Sequence, residues 1–153
     1  MKSSSMIRGL AALAVCALLP LAWASQKNPV PRPFKMQAHS QMVVSLVDYS
    51  TVATAWGEAT HCGKCASLGW GLFNPLAWEL IGSGKIIAAN NDEIFFDCPN
   101  TIQTVITGGT GRFEGATGEF FVVSMDLTGM ETDPVANTMT LSFVWTASGT
   151  ICY

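Results

Sequence analysis

The chain has 153 residues, 49% of them hydrophobic and only 12% charged. That is enough apolar content and length for one folded domain and argues against an intrinsically disordered chain. The formal net charge of −3 arises from 8 basic and 11 acidic residues, and no basic run is present to neutralise phosphates, so nucleic acid is not an expected partner.

Residues 1–24 read as a signal peptide. Lys2 and Arg8 make a positive start, the stretch from Gly9 to Ala24 is apolar apart from Pro20, and Ala22-Trp23-Ala24 is a small-x-small cleavage pattern before Ser25. The apolar run is short of the ~20 residues a membrane helix needs and is broken by proline. A lipid anchor on Cys16 fits poorly, because bulky Val15 precedes it and the apolar run continues past it. Cleavage between Ala24 and Ser25 implies a secreted or periplasmic mature chain with no membrane span. It also removes one of 5 cysteines and leaves Cys62, Cys65, Cys98 and Cys152. An even set in an exported chain points to two disulfides, with connectivity open.

Residues 25–40 carry Pro29, Pro31 and Pro33, a spacing that favours an extended, unpaired lead-in. The folded domain is expected over residues 41–153. Strand candidates follow at 41–49, 52–61, 84–89, 93–97 and 101–107, with Asn90-Asn91-Asp92, Pro99-Asn100 and Asp133-Pro134 as turn signals between segments. Phe121, Val123, Met125 and Leu127 alternate with Ser124 and Asp126. Met139, Leu141, Phe143, Trp145 and Ala147 alternate with Thr140, Ser142 and Thr146. Both patterns predict strands with one buried face. Short strands at regular spacing without helices predict an all-β antiparallel sandwich or barrel. Residues 62–80 alternate poorly and crowd Trp70, Phe73 and Trp78 among glycines and Asn74-Pro75. They read either as irregular strand and loop packed on the core, or as an apolar cover at a ligand mouth.

The most distinctive run is Gly108-Gly109-Thr110-Gly111-Arg112-Phe113-Glu114-Gly115-Ala116-Thr117-Gly118. It lacks the Lys-Ser/Thr of a phosphate loop, and its glycine spacing misses the dinucleotide fingerprint. With Gly57-Glu58-Ala59-Thr60-His61 and Ala88-Ala89-Asn90-Asn91-Asp92 before it, it resembles the glycine turn of allene oxide cyclases and dirigent proteins, and most closely a set of small exported bacterial proteins with the same barrel. The resemblance covers about residues 34–153. It implies a single eight-stranded antiparallel barrel, lipocalin-like in shape. It implies no catalytic residue, and Cys62-Gly63-Lys64-Cys65 departs from its pattern.

Chemistry-bearing side chains are sparse. Glu58 and His61 are three apart, so a regular strand puts them on opposite faces. Arg112 is either a surface ion-pair partner or a rim cation for a ligand. His61, Cys62, Cys65 and Cys98 contain a zinc-type ligand set, but the export signal and a fourth cysteine favour disulfides, and neither a metal nor any other cofactor is expected. Catalytic residues are unknown from the sequence. The reading is an exported barrel that binds a small apolar ligand, with Trp70, Phe73, Trp78, Glu58 and Arg112 as candidate ligand contacts. The alternatives are a cyclase- or dirigent-like enzyme acting on an apolar intermediate, and a packed interaction barrel without a pocket.

Overall fold

The computed structural model describes residues 30–153; the signal peptide, its cleavage site and Pro29 lie outside the described residues. Eight strands form: β1 Arg32–Ser45, β2 Ser50–Ala59, β3 Gly63–Asn74, β4 Glu79–Ile87, β5 Glu93–Cys98, β6 Gln103–Gly109, β7 Thr117–Asp133 and β8 Thr138–Cys152, with one turn of 3-10 helix at Gly111–Phe113. Each strand pairs antiparallel with the next, and β8 returns to β1, so the expected all-β barrel is closed in chain order. Closure gives every strand two partners, and β7 has a free edge where it runs past β6.

Two expectations are corrected at the level of strands. The lead-in is not unpaired throughout: β1 begins at Arg32 and pairs with β8 from Arg32↔Ile151 to Ser45↔Thr138. Alternating prolines signal extended backbone, which a strand also uses, and a proline is tolerated at a strand's first residues, as Pro33 is here. The second correction concerns β7. Its register on β8 shifts between Val122 and Ser124. Phe120 is buried, while Phe121 and Val123 are exposed. The bulge inserts one residue and reverses the alternation, so Met125 returns to the inner side opposite Trp145. On β8 the expected face is the inner one: Leu141, Phe143 and Ala147 are buried.

Three turns, β2–β3, β4–β5 and β6–β7, gather at one end of the barrel. The other four gather at the opposite end. The three-turn end is closed by packed side chains. Phe34 and Phe113 are 0% exposed, Phe34 stacks on Phe120 at 5.0 Å, and Phe113 meets the Tyr153 ring edge-on at 5.0 Å. The glycine run makes this possible. Gly111 has φ +55°, and a Cβ there would collide with the Asp92 carboxylate, which accepts a hydrogen bond from the Arg112 backbone N–H at 3.2 Å. Glycine alone gives both the left-handed backbone and the room, and the turn then delivers Phe113 into the core. Asn91, in the expected Asn-Asn-Asp turn, also has positive φ at 66°.

Candidate functional site

Between the closed end and the four-turn end the barrel is hollow. The space is about 170 Å³, close to the ~150 Å³ that holds a benzene molecule in an engineered protein cavity. Its origin is legible in the inward residues. Reading across β2, β3, β4 and β5, one interior row is Thr51, Gly71, Gly82, Cys98. The next row toward the closed end is Ala53, Gly69, Gly84, Phe96. Apart from Phe96 these residues are small, and Thr51, Ala53, Gly69, Gly82 and Cys98 among them border the space.

Why β3 looked irregular now has a physical answer. Cys65, Ser67, Gly69, Gly71 and Phe73 point inward by alternation from the two buried ends Cys65 and Phe73, and Leu68, Trp70 and Leu72 are exposed. The strand is regular, but its apolarity is inverted, because the inner face borders space.

Large side chains line the rest of the cavity. Met42, Phe143 and Trp145 come from β1 and β8, Phe96 from β5, and Phe73 and Trp78 from the end of β3 and the following turn. The mouth is marked by residues that both line the cavity and meet solvent. Trp78 is 52% exposed and Met125 43%. A gap in strand pairing lies beside Met125. The paired register of β6 with β7 stops at Gln103↔Phe121, whereas β7 continues to Asp133 on β8 alone. Thr101 fixes the opposite lip, donating from Oγ1 to the Trp78 carbonyl and accepting from the Leu80 N–H, each at 2.9 Å. Trp78 itself adopts φ +52°, a conformation disfavoured for a bulky side chain, and its ring meets Phe73 edge-on at 5.6 Å.

The candidate contacts divide accordingly. Trp78 and Phe73 converge on the cavity. Trp70 also borders it, from a position between two inward glycines, but alternation turns its side chain to the outer face beside Val52, so what it offers the interior is main chain. Glu58 faces a surface groove with Lys35 and Gln37. Arg112 sits at the closed end, with Nε 3.7 Å from Asp92 and its guanidinium over the Phe113 ring at 4.8 Å. The structure does not bring these last two to the cavity. Sequence reading missed Met125, Trp145 and the β2–β5 row of small residues. The signal was there in the glycines at 69, 71, 82 and 84, spaced by two on adjacent strands.

The two expected disulfides are absent: Cys62, Cys65, Cys98 and Cys152 are all free thiols. The fold sets Cys98 apart from the other three, with Cys152 opposite Thr117 at the closed end. Cys62 and Cys65 lie in the closed-end core, whereas Cys98 faces the cavity beside Thr104, with Sγ 3.6 Å from Oγ1. The zinc-type set is divided in the same way, and His61 places Nε2 3.0 Å from the Pro33 carbonyl. Among the described residues no group of three or more His, Cys, Asp or Glu gathers as a metal site. Burial pushes the Cys62 thiol up to about 11, helped by nearby Cys65 and opposed by Arg112. Burial also raises Cys65, with a contribution from Glu58, and Cys98, where Thr104 opposes the rise. These are protonated thiols at neutral pH, not activated nucleophiles.

No helix among the described residues is long and apolar enough to cross a membrane. No protein-family model matches the sequence, and no curated protein matches it significantly.

Proposed function

We propose that this is an exported barrel that holds one small apolar molecule in its cavity. The carrying observation is the cavity itself, about 170 Å³, walled by Met42, Phe96, Phe143 and Trp145 and entered beside Trp78 and Met125. Small eight-stranded barrels are suited to a single small ligand, and an apolar pocket with a few convergent hydroxyls is the common form of such sites. The size fits a ring, or the apolar part of a longer molecule whose remainder passes the mouth. The export reading rests on the sequence of residues 1–24, and kinship with the allene oxide cyclase and dirigent barrels on the glycine turn and the two segments before it. The eight-stranded architecture agrees with that kinship. Among the described residues the cavity lining contains no Asp, Glu, Lys, Arg or His, which favours binding over acid–base chemistry on the bound molecule.

Geraniol, a small terpenoid alcohol, is a suitable probe. Isothermal titration and tryptophan emission should both show saturable binding at one site, since Trp78 and Trp145 line the cavity. Ser67→Phe, which places a ring from the inner face of β3 into the space, should abolish it. Trp78→Ala should weaken it. Saturation that survives Ser67→Phe unchanged would place the site elsewhere, and no binding to the unaltered protein would overturn the reading. Conversion of the probe would move the reading to an enzyme.

A further inference from the structure

The chemistry of the cavity wall constrains the head group of a bound molecule as well as its size. Resting on the ligand-binding reading, we propose that the cavity selects uncharged molecules, with an apolar body and one hydroxyl or carbonyl oxygen, and rejects carboxylates and amines of the same shape.

Three independent features lead there. The first is the lining. Among the described residues its polar side-chain groups are hydroxyls, one thiol and the indole N–H groups of its tryptophans, with no ionic group. A carboxylate entering this space loses its hydration and gains no counter-charge, and an ammonium does the same; an unpaired ion in an apolar site is strongly disfavoured. The buried Cys98 thiol is no exception, because burial raises its pKa and keeps it neutral.

The second feature is the placement of the hydroxyls. Thr51 is 4% exposed and Thr104 7%. Both border the cavity at the level of the row Thr51, Gly71, Gly82 and Cys98. A hydroxyl donates and accepts, so this level suits an alcohol, ketone or ester oxygen.

The third feature is the sign of charge along the barrel. Arg32, Lys35, Lys64, Lys85 and Arg112, the basic residues among those described, all lie on the closed half. The four-turn end, where the cavity opens, carries Asp48, Glu79, Asp97, Glu131 and Asp133 and no Lys or Arg among the described residues. An entrance of one negative sign disfavours the approach of anions. It does not rescue cations inside, because none of these carboxylates lines the cavity.

The test keeps one carbon skeleton and changes only the head group. Geraniol, geranate and geranylamine are titrated calorimetrically into the purified protein at pH 7.5, where the acid and the amine are both ionised. Geraniol should bind at one site, with both ions at least tenfold weaker. If either ion binds within threefold of geraniol and Ser67→Phe removes that binding, charge selection is overturned while the cavity stands as a ligand site. If an ion falls between these limits, low ionic strength decides. The rim predicts that geranate weakens further there, and the opposite response overturns the proposal. If geraniol itself fails to bind, both the selection and the binding reading fall.

Discussion

At the closed end of the barrel Phe34, Phe113, Ile94 and Ile151 are wholly buried and interlock with Tyr153. Halfway along the same strands, inward positions on β2, β3 and β4 include Thr51, Ala53, Ser67, Gly69 and Gly82, and the space is left open. One set of strands thus carries a filled region and a hollow one. The difference lies in side-chain volume at inward positions, not in backbone topology. In the filled region volume is stabilising, and losing it leaves a void. In the hollow region the void already exists, and added volume is what the structure resists or what function forbids.

The sharpest way to break this contrast is to truncate on both sides of it. Phe113→Ala removes a ring that is 0% exposed and should cost about 3–5 kcal/mol, the scale of buried phenylalanine truncations. Met125→Ala, at the mouth and 43% exposed, should cost under about 1 kcal/mol. Urea unfolding of both variants gives the comparison. Equal losses would mean that the cavity half is as tightly packed as the closed end.

The thiols of the closed end offer a second test, through pH. Burial raises Cys62 from its ordinary 9.0 to about 11. Between those values the unfolded chain has lost the thiol proton and the folded chain keeps it, so the unfolded state binds fewer protons and stability falls as pH rises. The contribution is fully present below pH 9, and roughly 2–3 kcal/mol of it is gone by pH 11. The raised Cys65 and Cys98 act in the same direction. In the reduced protein, Cys62→Ala should flatten the decline between pH 9 and 11 relative to the unaltered chain. A slope unchanged by the substitution would show that Cys62 is not held protonated by the core.

Much of this architecture was legible in the sequence, and the exceptions share a cause. Alternation, interrupted only at Val144, identified β8 as a strand with one buried face from residues 139–147, and the glycine run with Asn90-Asn91-Asp92 identified two of the three turns of the closed end. Alternation failed on β7, where a bulge at Val122/Ser124 reverses the inner face without any mark in the local composition. It failed on β3 because a cavity wall needs small inward residues, so the apolar signal appears on the outside. The site was half legible. Trp78 and Phe73 stood out as aromatics in a turn-rich stretch, whereas Met125 and Trp145 reach the cavity only through strand pairings distant in sequence. The disulfide expectation counted cysteines correctly but could not see that register leaves Cys98 alone at the cavity, away from the three at the closed end.

Two inward glycines on β3 sharpen the contrast within the cavity wall itself. A Cβ at Gly71 would run into the Ile81 carbonyl and lie 2.8 Å from the Gly82 Cα, while one at Gly69 meets nothing closer than the Ser83 carbonyl at 3.5 Å. Gly71→Ala should therefore destabilise by about 1–3 kcal/mol, the usual cost of forced overpacking. Gly69→Ala should be near neutral and reduce geraniol affinity slightly by narrowing the space. Thermal melts of the pair are the measurement. If both alanines were tolerated alike, β3 and β4 would not approach as closely at Gly71 as the structure has them.

The smallest effect isolates backbone from side chain at the mouth. Trp78 holds φ at +52°, where any residue with a Cβ pays about 1 kcal/mol relative to glycine. Its ring adds back packing against Phe73 at 5.6 Å. Trp78→Ala keeps the strain and loses the ring; Trp78→Gly loses both. The glycine variant should consequently be the more stable of the two by up to about 1 kcal/mol, while the two lose geraniol affinity to the same extent. That split is the useful result. Stability would then follow the left-handed backbone, which Thr101 pins through the Trp78 carbonyl, and binding would follow the indole. Equal stability with unequal binding would invert the assignment and make the turn conformation, rather than the ring, the element that shapes the mouth.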